Sequence, residues 1–96
     1  MNFKVSIKDS INRILKTPLG SRVMRPNFGS LLYTLRDREF NDEYRLLAKK
    51  YTYEAIINNE PRVKVENVDF KVEPVNGVVT LVIILTNGEI IEVEND

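Results

Sequence analysis

Four carboxylates, Asp37, Glu39, Asp42 and Glu43, crowd one stretch of this chain, and further along Glu60 and Arg62 flank Pro61. These are the side chains whose type and spacing could do chemistry. A glycoside hydrolase needs two carboxyls across a cleft in contrasting environments, one of which keeps its proton. The four carboxylates sit instead in a charged connector and in the first turn of a helix, where solvated acids are expected. Catalysis is therefore not expected. The chain has no histidine and no cysteine. That removes the commonest general base, the usual partner of a serine nucleophile, the thiol nucleophile and the thiolate metal site. Neither a cofactor nor a metal is expected.

Glu60-Pro61-Arg62 has a clear local mechanism. Pro61 cannot continue a helix, and it pushes Glu60 into extended geometry. Residues two apart in extended chain point the same way, so Glu60 and Arg62 project side by side at a helix-to-strand corner. Such a pair can clamp opposite charges on a neighbouring protein, the arginine with its planar fork. The plainer reading is a helix stop with two solvated charges. A second basic segment is similar. Arg22 and Arg25 lie on either side of Val23-Met24, Phe28 supplies an anchor and Gly29 permits a sharp turn. A phosphate cradle would need more glycines opening a helix. The basic residues are interspersed with acids and show no nucleic-acid signature.

The elements that must hold these residues are legible in outline. The 96 residues suffice for one domain, residues 1–96, and a hydrophobic fraction of 43% is globular rather than disordered. Met1 to Val5 lack the apolar run of a signal peptide, and Val78–Leu85 is too short to span a bilayer. A soluble protein used inside a cell is the expectation, with no membrane partner. Residues 5–16 read as a first helix, with Ile7, Ile11, Ile14 and Leu15 at helical spacing and Thr17-Pro18 as its stop. Ser30 can cap a short helix carrying Leu31, Leu32 and Leu35. Asn41 caps a long helix with Asp42 and Glu43 in its first turn and a stripe of Tyr44, Leu47, Ala48, Tyr51 and Ala55, which Ile56 and Ile57 extend.

The remainder is strand. Val63, Val65, Val68, Phe70 and Val72 switch parity midway, and a bulge near Glu66-Asn67 would restore the alternation. Asn87-Gly88 predicts a two-residue type I′ hairpin. That turn would pair Ile84 with Ile91 and Val82 with Val93 on the core face, leaving Leu81, Ile83, Leu85 and Ile90 on the other. The middle strand is apolar on both sides, so either helices cover both faces or a partner covers one. The last strand, Glu89, Ile90, Ile91, Glu92 and Val93 to Glu94, reads as an acidic edge open to a chosen strand. The fold class is α+β: about three N-terminal helices, then a three-stranded antiparallel meander with a tight Asn-Gly hairpin. Net charge is zero, but residues 1–59 carry net +5 and residues 60–96 net −5, which suits a polar molecule whose two ends meet different partners.

Gly20-Ser21-Arg22-Val23-Met24-Arg25-Pro26-Asn27-Phe28-Gly29-Ser30 followed by Glu60-Pro61-Arg62-Val63 resembles the small baseplate wedge family of contractile phage tails. This is the baseplate assembly protein W type, with its counterparts in type VI secretion and related injection machines; some members carry a lysozyme-like label. The resemblance implies a structural subunit, not an enzyme, present in a sixfold ring in the virion tail baseplate and assembled in the host cytoplasm. It implies that Glu60, Pro61 and Arg62 dock into a core bundle of larger wedge proteins. It also implies that the C-terminal strands template the first sheath ring by strand addition. The implied neighbours are larger wedge proteins and the sheath protein, with tube or hub proteins as further candidates and no nucleic acid. The competing class is a free-standing homodimeric binding module that hides its second apolar face against itself.

Overall fold

The computed structural model describes residues 6–95. Val5, the expected first residue of the N-terminal helix, lies with the preceding residues 1–4 outside the described residues. The elements run α1 (Ile7–Lys16), a single 3-10 turn (Leu32–Leu35), α2 (Asp42–Asn59), β1 (Val65–Val72), β2 (Val79–Leu85) and β3 (Ile90–Asn95).

α1 forms because Ser6 caps it, accepting from the Asp9 amide at 3.1 Å, and because Ile11, Ile14 and Leu15 share one buried face. It ends where Thr17 turns its hydroxyl back to the Arg13 carbonyl at 2.7 Å, just before Pro18. The chain then leaves and returns through a closed neck. Ser30 donates its amide to the Thr17 carbonyl at 2.9 Å, and Leu19 donates to the Ser30 carbonyl at 3.0 Å. Gly29 makes this approach feasible: its φ is +112°, and a Cβ there would stand 2.4 Å from the Thr17 oxygen.

The sequence suggests about three N-terminal helices; the described residues form two α-helices. The stretch after Ser30 is only a four-residue 3-10 turn. Two demands decide this. Leu32 and Leu35 must both reach the core from a short span, which residues three apart in a 3-10 turn do. Ser30, expected as a helix cap, does accept from the Leu32 amide at 3.3 Å, but its hydroxyl also donates to the Leu15 carbonyl at 2.8 Å and so ties the turn to α1. In α2, Asn41 does cap, accepting from the Tyr44 amide at 2.9 Å. The buried face is Tyr44, Ala48, Thr52, Ala55 and Ile56, with Leu47 and Tyr51 half-buried beside it. Ile57 turns to solvent.

The sheet is antiparallel in the order β1-β2-β3. The expected bulge in β1 is present: Val65 opposes Leu85 and Asn67 opposes Ile84, so the register slips at Glu66. The expected second hairpin is corrected. Gly88 donates its amide to the Leu85 carbonyl at 3.0 Å and Leu85 donates to the Glu89 carbonyl at 2.9 Å. Among the described residues only glycines have positive φ, Gly88 at +94°, so Asn87 does not take the conformation a type I′ turn requires. The loop is the three-residue kind, a turn followed by a left-handed glycine. One extra loop residue moves the register by one. Ile83 pairs with Ile91 and Leu81 with Val93. Leu81, Ile83 and Leu85 therefore join Ile91 and Val93 on the core face, and Val82 and Ile84 face outward with Ile90; the sides of β2 are the reverse of those expected, while those of β3 are as expected. The new parity buries five large aliphatic side chains, each worth about 1.5–3 kcal/mol when fully buried. The α-helices and the 3-10 turn pack on this core face.

Candidate docking site

Glu60 occupies the last cap of α2, its amide bonded to the Ile56 carbonyl at 2.8 Å. Its side chain is only 5% exposed while that of Arg62 is 43% exposed. The two do point the same way, but toward each other. Arg62 donates through Nε to Oε1 and through Nη2 to Oε2 of Glu60, both at 2.7 Å, a two-pronged fork. Ser10 of α1 donates its hydroxyl to Oε2 at 2.6 Å. Arg62 holds the Glu60 carboxyl down to about 2, against the opposing pull of burial and with help from Ser10. Glu60 is thus a buried anion that fixes α1 to the corner and orients the guanidinium above it. Pro61 is exposed. A recess of about 250 Å³ opens beside them, lined by Pro61, Arg62, Val63, Lys64 and the hairpin residues Thr86 and Asn87.

The basic loop reaches the same end of α2. Asn59, next to Glu60, donates its side-chain amide to the Asn27 carbonyl at 3.1 Å. Phe28 is buried and belongs to the core, and the guanidiniums of Arg22 and Arg25 lie 4.4 and 4.6 Å from its ring centre. The arginines are folded back on the aromatic, so the loop displays Val23 and Met24, 94% and 89% exposed.

Along β3 the pattern splits. Ile91 and Val93 are buried, Ile90 is 62% exposed, and Glu89 and Glu92 are exposed. The bonded pair at Leu85 and Glu89 sets the alternation, so Ile91 and Val93 spend their backbone groups on β2 while Ile90, Glu92 and Glu94 turn theirs outward. The structure thus joins Glu60, Pro61 and Arg62 with the loop through Asn59 and with the hairpin tip through the recess. Sequence reasoning missed Ser10 and Asn59; neither carries a signal, because each acquires its role from a partner distant in the chain.

The four carboxylates stay at the surface. Glu43 lies 3.8 Å from Arg38, and Asp42 is paired with Arg45. Among the described residues, no group of three or more acidic side chains could hold a metal ion, and no helix is long and apolar enough to cross a membrane.

Comparison with known proteins places the chain in a family. The family model described as Baseplate wedge protein gp25 matches residues 2–86. Baseplate protein W of Escherichia phage P2 is 44% identical over 62 residues, which are 65% of this chain and 54% of that protein. The chain therefore matches about half the length of this relative. A solved structure from Geobacter sulfurreducens, named as a tail lysozyme, superposes with a TM-score of 0.68 at 30% identity, covering 91% of this chain and 82% of that one. With the family model matched over nearly its whole length, the chain belongs to the baseplate wedge protein gp25 family.

Proposed function

We propose that this chain is a non-enzymatic structural subunit of a contractile tail baseplate, acting as one domain. It enters the wedge through the Glu60-Pro61-Arg62 corner and offers the β3 edge to a sheath strand. The observation that carries this reading is the division of labour at the corner: Glu60 is buried and committed to Ser10 and Arg62, while Pro61 and Arg62 stand at the surface beside a recess. A buried carboxylate that holds an arginine in one orientation pre-organises it for a partner and lowers the ordering cost of docking. The basic rim of Arg62 and Lys64 suits acidic or carbonyl-bearing groups of a larger wedge protein. Arg22, Arg25 and Phe28 support the Val23-Met24 tip as a second contact. On β3, Ile90, Glu92 and Glu94 supply backbone donors and acceptors for the added strand, and Ile91 and Val93 hold the strand on the core. The sixfold ring, the assembly in the host cytoplasm and the tube or hub neighbours belong to the same proposal.

The test is co-purification of tagged wild type and Arg62→Ala from cells making the native machine, with mass spectrometry of what accompanies them. Wild type is expected to bring larger wedge and sheath proteins, and the variant to lose the wedge proteins while remaining folded. Wild type arriving alone would defeat the proposal. A homodimer that hides the outward face is the second reading, favoured by the exposure of Ile90 beside half-buried Val82 and Ile84.

A further inference from the structure

The connector between the 3-10 turn and α2 meets one end of the sheet in a recess of about 170 Å³. Buried Tyr44 and Asn95 line it, and exposed Arg36 and Arg38 stand at its rim. Asn95, at the end of β3, is 6% exposed and spends its side chain in three directions. Its amide donates to the Leu32 carbonyl at 3.1 Å and to the Tyr44 hydroxyl at 2.9 Å, and its oxygen accepts from Arg36 Nε at 3.4 Å. Two sets of donors are left over. Tyr44 is 3% exposed; its oxygen accepts from Asn95, and its own proton has no acceptor among the described residues. Burial raises the Tyr44 pKa against the pull of the Asn95 bond, so that proton stays in place. A buried hydroxyl donor without an acceptor is costly, so the site favours whatever brings one. Arg36 makes no ion pair among the described residues. With Nε directed at Asn95, its terminal Nη pair remains to grip an acceptor end-on. Arg38 adds positive charge, held only loosely by Glu43 at 3.8 Å.

These donors call for a small anionic acceptor, and the walls call for an apolar stem behind it. Half-buried Phe40 and buried Val79 line the same recess. A carboxylate meets the end of a guanidinium with two oxygens, one of which can also take the Tyr44 proton. The methylenes of a glutamate can then lie against Phe40 and Val79. We propose that this recess binds the carboxylate of a glutamate side chain presented by a neighbouring protein. Arg36 grips it, Tyr44 donates to it from below, and Asn95 holds both in place before the partner arrives, which lowers the ordering cost of docking. One carboxylate in an open recess is held weakly, so the rest of the affinity comes from the chain that carries it. The site is separate from the Glu60-Pro61-Arg62 corner. Tyr44 lies near the start of α2 and Glu60 caps its end, about 24 Å away along the axis.

The test is a titration of the isotope-labelled full chain, followed by nuclear magnetic resonance at low salt, with capped Ala-Glu-Ala, capped Ala-Gln-Ala and inorganic phosphate as probes. The glutamate peptide is expected to shift the Arg36 side-chain N–H and the Tyr44 ring signals with a Kd of about 1–20 mM, and the glutamine peptide to shift neither. Arg36→Gln, an exposed substitution that keeps the fold, should raise that Kd about tenfold or more as read at Tyr44. Tyr44→Phe should raise it about threefold as read at Arg36, and Arg62→Ala should leave it unchanged. Equal shifts by the two peptides, no saturation up to about 50 mM, or tighter binding of phosphate than of the glutamate peptide overturns the proposal. Binding seen only in Asp96→Asn would assign the recess to this chain's own carboxylate and overturn it equally. Loss of binding in Arg62→Ala would move the peptide to the Glu60-Pro61-Arg62 corner, ending this proposal while leaving the docking role of that corner standing.

Discussion

Glu60 is where the chain concentrates its electrostatic demand on a single residue. Its carboxyl is held near 2 against an ordinary 4.5, first by the Arg62 fork and then by Ser10. The sign follows from which state takes the proton. Between about pH 4.5 and about pH 2 the unfolded chain is protonated at this position while the folded chain is not, so protonation favours unfolding. The stabilisation is complete above the upper value and drains away toward the lower one. Urea midpoints taken from about pH 6 to about pH 2 should fall less steeply in Glu60→Gln than in wild type. Parallel slopes would assign the acid sensitivity to other carboxylates. Because Arg62 is partly exposed, solvent screens its share, and Arg62→Ala should leave a folded protein for the docking test. The spacing of Glu60, Pro61 and Arg62 made the side-by-side geometry legible. That the pair turns inward was not, because its cause, the Ser10 hydroxyl, lies 50 residues upstream.

The hairpin and the caps show at the scale of elements where local sequence suffices and where it stops. Asn41 caps α2 and Glu66 breaks the β1 ladder as their neighbours dictate, since a cap and a parity switch are local events. Asn87-Gly88 marks a turn equally well in two-residue and three-residue loops. Choosing between them takes the whole core, because Leu81, Ile83, Leu85, Ile91 and Val93 are buried together only in the longer one. The short helix failed for a related reason: its leucines obeyed the core before they obeyed helical length. The observed register yields a sharp contrast. Glu92 turns its amide away from the sheet, so Glu92→Pro should fold normally by circular dichroism and stop sheath growth on an assembled baseplate. Ile91 commits its amide to β2, and Ile91→Pro should lose about 3 kcal/mol or more and unravel the strand. Normal sheath growth with Glu92→Pro would end the β3 proposal.

The whole molecule measures 43 × 33 × 21 Å, and its short axis fits two layers of secondary structure. Helices cover one face of the sheet, leaving Val82, Ile84 and Ile90 outermost on the other. If that face met a second copy, wild type would sediment as a dimer and Ile90→Lys as a monomer. We expect both to be monomeric in isolation and to differ by no more than about 0.5 kcal/mol in stability, as a surface substitution should. The loop between α1 and the 3-10 turn follows a different logic from the sheet. Its base is tied by Thr17, Leu19, Gly29 and Ser30, while Val23 and Met24 stand almost fully in solvent. The tie does not depend on what the tip contains. Evolution, or an engineer, can therefore treat the tip as an interchangeable cassette, retargeting the subunit to a new neighbour while the scaffold beneath keeps its shape.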